Sequence, residues 1–118
     1  MQKVVGKSFD EVVYDPSKNV FVLFYAPWCG HCKALHPIYE ELAKAYANDK
    51  EVLITKIDAT ANEVEGINIR GFPTLKFFKA GGDGRSEVDY EGDRTLEALK
   101  DFVEKNRVAV EAPTEEEL

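Results

Sequence analysis

The chain has 118 residues, which suits one domain with a hydrophobic core and is too short for two. Its net charge of −7 argues against non-specific nucleic-acid binding, which depends on an excess of Lys and Arg. The longest apolar segment, residues 20–26, is far shorter than the roughly 20 residues that cross a bilayer. We therefore expect one soluble, acidic domain that binds neither nucleic acid nor a membrane.

The first part of the chain predicts a strand, a helix and a second strand. A short strand is expected around residues 3–5, and a short helix should open with the capping pattern of Ser8 and Glu11 and end near residues 15–16. Residues 20–25 are β-branched or aromatic on both faces, which is typical of a strand that is covered on both sides. We place this strand at the centre of the sheet.

A long helix and two further strands follow. Apolar residues recur at helical spacing over residues 29–47, and Pro37 within this segment should bend the helix. Residues 52–58 and 74–78 have the composition of strands, and residues 63–67 form a weak helical segment between them.

The last part of the chain predicts a hairpin, a helix and a tail. Residues 81–84 form a turn, so residues 87–90 should pair back on the preceding strand, and Thr95 can cap a last amphipathic helix. Residues 108–118 lose this periodicity and contain three consecutive glutamates, which is typical of a disordered acidic tail or linker. Residues 1–107 are then one α/β domain, a central mixed sheet with helices on both faces.

The two cysteines of the chain, Cys29 and Cys32, directly follow the predicted central strand and begin the long helix. In this context a Cys-x-x-Cys pair indicates redox chemistry. The start of a helix favours a thiolate, so Cys29 is expected to be exposed and nucleophilic. Cys32 lies one turn further along and should be more buried, with a thiol pKa near or above its ordinary value.

Two other interpretations of the cysteine pair remain open. A structural disulfide would close a four-residue loop, which stabilises a fold by only about 2 kcal/mol. A zinc site would need four ligands, of which the cysteines could be two. Only His31 and His36 could complete the set. Apart from that possibility, we interpret His36 as a solvated surface residue.

The segment from Phe24 to Lys33, Phe-Tyr-Ala-Pro-Trp-Cys-Gly-His-Cys-Lys, resembles the active site of the catalytic domains of protein disulfide isomerases. The similarity covers residues 3–107 and is greatest to the second catalytic domain, called a-prime. It includes Ile-Asp-Ala-Thr at 57–60, Gly-Phe-Pro-Thr at 71–74 and Tyr-Glu-Gly-Asp-Arg at 90–94. It implies a thioredoxin fold and an enzyme that forms, reduces and rearranges disulfide bonds. It also implies no cofactor beyond the redox-active disulfide, with glutathione as a redox partner.

The resemblance assigns roles to residues around the cysteine pair. Trp28, Phe72 and Pro73 would lie at the substrate face, and the peptide bond before Pro73 would be cis, with neighbouring backbone that can pair with an extended substrate. Arg94 corresponds to an Arg that can approach the resolving cysteine, here Cys32, and lower its pKa.

Gly30 and His31 complete the Cys-Gly-His-Cys motif. Thioredoxin-like reductases have a similar fold but usually carry Pro at the position of His31. A lower thiol pKa changes the rate of attack little, because a larger thiolate fraction is offset by weaker nucleophilicity, with a Brønsted slope of about 0.4 to 0.5. It does make the thiol a better leaving group and the disulfide a stronger oxidant. We therefore expect His31 to favour oxidation and isomerisation over reduction.

One position departs from the family pattern. Many members have a buried Glu six residues before the first cysteine, which pairs with a Lys at the position of Lys56 and takes a proton from the resolving cysteine. This chain has Leu23 there, and an apolar side chain cannot move a proton. We expect Lys56 to lack its partner and Cys32 to depend on water and Arg94, so that its deprotonation is slow.

Two alternative functions remain open: a thioredoxin-like protein disulfide reductase, and a redox-inactive peptide-binding chaperone module. The partners that the resemblance implies are unfolded or partly folded proteins with thiols or disulfides, and other domains of a parent chain. The resemblance places such domains in the endoplasmic reticulum lumen. The sequence has no evident signal peptide, which suits a cytosolic protein or a domain cut from a longer precursor. The ending Glu-Glu-Leu matches only the last two positions of a Lys-Asp-Glu-Leu retrieval signal and is interpreted as a truncated tail.

Overall fold

A computed structural model describes residues 2–4, 8–15, 17–62, 67, 69, 71–81 and 87–108. In chain order its elements are β1 (Gln2–Val4), α1 (Phe9–Val13), β2 (Asn19–Tyr25), α2 (Gly30–Ala45), β3 (Val52–Asp58), β4 (Thr74–Phe78), β5 (Glu87–Tyr90) and α3 (Leu96–Asn106). The predicted helix at 63–67, most of the turn at 81–84 and the tail beyond Val108 lie outside the described residues.

The strands form a mixed sheet in the order β1-β3-β2-β4-β5, with β2 at its centre as predicted. β2 runs parallel to β3, with Asn19 opposite Val52 and Tyr25 opposite Asp58, and antiparallel to β4. β1 extends the sheet in parallel beyond β3, and β5 pairs antiparallel with β4 as the predicted hairpin.

Side chains of β2 alternate between two hydrophobic cores. Phe21 and Leu23 face the core that contains residues of α2 and α3, whereas Val20, Val22 and Phe24 face the core that contains residues of α1. Each of these five side chains is buried. Since successive strand residues point to opposite faces, a strand that is apolar throughout needs cover on both sides. The α/β fold with helices on both faces of a mixed sheet is thereby confirmed.

Tyr39 ties α2 to the two central strands. Its side chain is fully buried, and its hydroxyl lies 2.8 Å from the carbonyl oxygen of Phe21 and 2.7 Å from that of Thr55. The helix continues through Pro37. Because Tyr39 contacts β2 and β3 together, it helps to hold the middle of α2 in a defined place above the sheet. None of the helices in the described ranges is long and apolar enough to cross a membrane.

Asn19 closes the amino end of β2. This fully buried amide donates from Nδ2 to the carbonyls of Glu51 at 3.0 Å and Val108 at 2.9 Å. Its Oδ1 accepts from the N–H groups of Ala80 at 3.1 Å and Val108 at 2.8 Å. Val108, the first residue of the predicted tail, is thus bound to the sheet through both of its backbone groups.

Candidate active site

The cysteine pair lies where β2 passes into α2, as the sequence predicted. The chain leaves β2 at Tyr25, and the N–H of Cys29 donates to the carbonyl of Ala26 at 3.1 Å in the connecting turn. Cys29 is the N-cap residue of α2 and Cys32 lies in its first turn. The end of a central strand and the start of a helix therefore position the two sulfur atoms.

Cys29 caps the helix through its side chain. The N–H of Cys32 donates a hydrogen bond to the Cys29 sulfur over 3.1 Å, and the Cys29 backbone is extended, with φ −81° and ψ 116°. A sulfur in this position receives both an N–H bond and the positive end of the helix dipole, and both favour negative charge. Both cysteines are free thiols, so the structure represents the reduced dithiol.

The prediction that Cys29 is exposed and Cys32 more buried is wrong. The two residues are buried almost equally, with exposed fractions of 5% and 4%. They form a small cluster with Ala26, against which Phe72 packs. The local sequence could not show this, because Phe72 comes from a loop some forty residues further along the chain.

Cys32 has the properties of a resolving thiol that holds its proton. Burial raises the pKa of Cys32 from 9.0 to about 11, and its hydrogen bond with Cys29 adds to the rise. A backbone hydrogen bond with Ala26 and the positive charge of Arg94 act against it. The predicted direction is confirmed. It follows that Cys32 must give its proton to another group before it can attack a disulfide.

Arg94 is exposed in the segment before α3. Its charge is close enough to lower the pKa of Cys32, which agrees with the direction that the sequence predicted. This contribution is smaller than that of burial, so the charge of Arg94 offsets only part of the rise.

An aromatic pair and a cis proline form the surface beside Cys29. Trp28 is 70% exposed, and its ring meets that of Phe72 edge to face, with centroids 5.7 Å apart. The bond between Phe72 and Pro73 is cis. The exposed Trp28 and the cis bond are both as predicted. A cavity of about 680 Å³ continues from here and is lined by Gly71, Phe72, Pro73, Thr74, Leu75, Lys76, Asp89, Tyr90 and Glu91.

Gly30 and His31 occupy the open side of the first turn of α2. Both are exposed, and a Cβ atom at Gly30 would meet no atom within 4 Å. Among the described residues, the space beside Gly30 is therefore open.

A second cavity, of about 220 Å³, lies on the inner side of Cys32. It is lined by Leu23, Tyr25, Ala26, Pro27, Cys32, Lys33, His36 and Lys56. Within it, Nζ of Lys56 lies 2.6 Å from Nε2 of His36. On the outer side of the ring, Nδ1 of His36 lies 3.6 Å from a carboxylate oxygen of Glu40.

One prediction about this inner region is wrong. His36 is not simply solvated, because its side chain is 38% exposed and contacts Lys56. Lys56, which has Leu23 where the family's Glu would stand, lies against His36 instead. The contact joins α2 to β3 and has no signal in either segment alone. One signal was available: residues four apart on a helix share a face, which places His36 beside Cys32.

Within the part of the chain that the structure describes, no three His, Cys, Asp or Glu side chains converge as metal ligands would. His31 and His36 differ in their surroundings: His31 is exposed, whereas His36 contacts Lys56. The described residues therefore offer no zinc centre around the cysteine pair.

Comparison with known proteins agrees with this fold. The sequence profile of the thioredoxin family matches residues 1–105. A protein disulfide-isomerase of Gallus gallus is 57% identical over 101 residues, which cover 86% of this chain and 19% of the relative. That of Oryctolagus cuniculus is 55% identical over 101 residues, 86% of this chain and 20% of the relative.

Among solved structures, the first thioredoxin domain of mouse Protein disulfide-isomerase A4 superposes with a TM-score of 0.73 at 36% identity, over 87% of this chain and 72% of that one. The chain spans about a fifth of the length of the two disulfide-isomerases. It belongs to the thioredoxin family, as a thioredoxin domain of the kind found in protein disulfide-isomerases.

Proposed function

We propose that this chain catalyses thiol–disulfide exchange in protein substrates, as an oxidoreductase and isomerase in which Cys29 attacks and Cys32 resolves. One observation carries the proposal: Cys29 caps α2 with its sulfur on the N–H of Cys32, beside the cis bond that precedes Pro73. This arrangement places one sulfur at the start of a helix, where it accepts an N–H group, and keeps the second sulfur within the first turn.

The exchange runs in two balanced steps. The Cys29 thiolate attacks one sulfur of a substrate disulfide, so a mixed disulfide forms and the other substrate sulfur leaves as a thiolate. Cys32, once deprotonated, then attacks the Cys29 sulfur. The bond between Cys29 and the substrate breaks, the Cys29–Cys32 disulfide forms and the substrate leaves reduced. The reverse sequence oxidises a substrate dithiol, and release before Cys32 attacks allows isomerisation.

The residues around the pair receive roles within this proposal. Trp28 supplies an exposed aromatic surface and, together with Phe72 and Pro73, borders the groove that would receive the substrate. Gly30 leaves the approach to the sulfur atoms open. In this proposal His31 sets the balance between the oxidised and reduced forms of the cysteine pair. Arg94, whose charge lowers the pKa of Cys32, helps to activate the resolving thiol.

The wider setting is also a proposal. The substrates would be unfolded or partly folded proteins with thiols or disulfides, and glutathione would reset the pair. Relatives about five times as long support the idea that the unit of residues 1–107 works with further domains, with 108–118 as an acidic linker or tail. We propose the endoplasmic reticulum lumen as its location, because disulfides persist in oxidising compartments, and the a-prime position as its place in the parent.

The reduction potential of the Cys29–Cys32 pair tests the direction of exchange. It can be measured by glutathione titration, with fluorescence of Trp28, the single tryptophan, as the readout. A value near the poise of the endoplasmic reticulum, about −180 to −210 mV, supports an oxidase and isomerase. A value near about −270 mV, as in thioredoxin, would replace this proposal with a reductase.

Trapping of a mixed disulfide tests the roles of the two cysteines. Cys32→Ser should accumulate a covalent complex with a protein substrate that contains scrambled disulfides, whereas Cys29→Ser should not. Disulfide rearrangement that persists in the Cys29→Ser, Cys32→Ser double variant would contradict the proposal and favour a peptide-binding module.

A further inference from the structure

We propose that His36 accepts the proton of Cys32 when Cys32 becomes the resolving nucleophile, through the inner cavity that the two side chains share. This inference rests on the exchange reaction proposed above and adds a proton acceptor to it. No role beyond the surface or a metal site was expected for His36 from the sequence.

The placement of the two side chains is the first support. Cys32 and His36 are four residues apart on α2, so they lie on one face of the helix, and both line the cavity of about 220 Å³. At about 30 Å³ for each water molecule, this volume accommodates a short water relay. Leu23 closes the cavity with an apolar wall and offers no acceptor.

The chemistry of the lining residues is the second support. Besides Cys32, the ionisable side chains that line the cavity are those of Tyr25, Lys33, His36 and Lys56. An ammonium group has no lone pair to accept a proton, and a phenol accepts one poorly. An imidazole is the side chain whose ordinary titration lies nearest to neutral pH. Among the residues around the cavity, His36 is therefore the acceptor that fits.

Charged groups lie on both sides of the ring. Nζ of Lys56 on β3 lies 2.6 Å from Nε2 of His36, and a carboxylate oxygen of Glu40 lies 3.6 Å from Nδ1. Lys33 on α2 also lines the cavity. From β2, Tyr25 presents its ring, with the centroid 5.7 Å from Nζ of Lys56.

The step can be written with its charges balanced. Lys56 first moves from Nε2 of His36 toward the face of the Tyr25 ring, which stabilises a cation, and so frees the lone pair of Nε2. Cys32 then gives its proton through water to Nε2, and its thiolate attacks the Cys29 sulfur of the mixed disulfide. The bond between Cys29 and the substrate breaks, and the electron pair leaves with the substrate sulfur. Imidazolium at His36 then returns the proton to solvent.

The test is the resolving step measured in single turnover. Reduced protein is mixed with excess peptide disulfide, and formation of the Cys29–Cys32 disulfide is followed by Trp28 fluorescence between pH 6 and pH 9. His36→Gln keeps an acceptor for Lys56 but cannot take a proton, so we expect resolution at pH 7 to be about ten-fold slower or more. Its log rate should rise with pH at unit slope, whereas the native rate should level off.

Two further variants separate a proton acceptor from a packing residue. Leu23→Glu in the His36→Gln background places a carboxylate in the same cavity and should restore at least half of the lost rate. Glu41→Gln is the matched control on α2, because Glu41 is exposed and bonds Lys44 at 3.5 Å. This control should leave the rate and its pH profile unchanged.

The outcomes distinguish this inference from the proposed function. In the Cys32→Ser background, His36→Gln should leave the rate of mixed-disulfide formation unchanged. Equal resolving rates in native protein and His36→Gln across the pH range would overturn the role of His36 and leave the exchange reaction standing. Failure of the native protein to form any mixed disulfide would overturn the exchange reaction itself.

Discussion

The two ends of β2 are built in opposite ways. At the amino end, the buried amide of Asn19 bonds backbone groups of Glu51, Ala80 and Val108, so the polar atoms there are paired within the protein. At the carboxyl end, the chain leads through an exposed Trp28 to Cys29, and one cavity there is lined by Phe72 and Pro73 and another by Cys32. One strand thus carries a closed end and an open end.

The difference shows how a small domain separates stability from chemistry. Paired buried polar groups make the amino end costly to disturb, because each group left unpaired costs about 1 to 3 kcal/mol. At the carboxyl end, a helix start capped by a cysteine sulfur, a protonated buried thiol and two cavities leave room for a reaction. Substitutions at the two ends should therefore affect different measurements.

The largest effect is expected at the open end from Cys29→Ser. Exchange activity should fall to the background rate, because the attacking sulfur is lost. Serine is a favoured N-cap residue, so the free energy of unfolding should change by less than about 1 kcal/mol. Chemical denaturation and a turnover assay on the same sample check both parts. A parallel Cys29→Ala variant should be about 1 kcal/mol less stable than Cys29→Ser, because alanine cannot cap α2.

At the closed end, Asn19→Ala should lower the free energy of unfolding by about 3 kcal/mol, because buried backbone groups lose their partners. The reduction potential of the cysteine pair should not change. Asn106→Ala is a suitable control, since among the described residues its side chain donates to the carbonyl of Phe102 in the same helix at 2.9 Å, and the change should cost about 1 kcal/mol or less. A changed potential in Asn19→Ala would show that the two ends are coupled.

A smaller effect is expected from Trp28→Ala. The side chain is 70% exposed, so stability should stay within about 0.5 kcal/mol of the native value. The KM for a peptide disulfide should rise several-fold with kcat nearly unchanged, because an aromatic contact with substrate is lost. Steady-state kinetics with peptides of different lengths measure this, and an unchanged KM would remove Trp28 from the substrate face.

The smallest effect concerns pH and the buried thiol of Cys32. Its pKa is raised in the folded state, from 9.0 to about 11, so its contribution to stability is complete below pH 9 and is lost as pH rises toward 11. The Cys29→Ser protein should therefore lose stability over this range faster than the Cys29→Ser, Cys32→Ala double variant. Denaturation midpoints at several pH values give the difference, and parallel curves would contradict a buried thiol.

Local sequence determined the elements that carry the site. The predicted strands at residues 52–58, 74–78 and 87–90 match β3, β4 and β5, and Thr95 caps α3 by accepting from the N–H of Ala98 at 3.2 Å. These features depend on side-chain alternation and on residues within one helical turn. For the same reason the sequence alone located the cysteine pair at the start of α2.

Only the tertiary structure decided which distant groups meet at that pair. Phe72 packs against the cluster that contains Cys29, and Lys56 contacts His36 across twenty residues of sequence. The burial and pairing of a side chain depend on which segments the fold brings together. The residue pattern within one segment does not show which distant segments will contact it. The sequence by itself therefore determined where the reactive sulfur atoms lie along the chain, and the packing of α2 against β3 and against the segment before β4 decided which groups surround them.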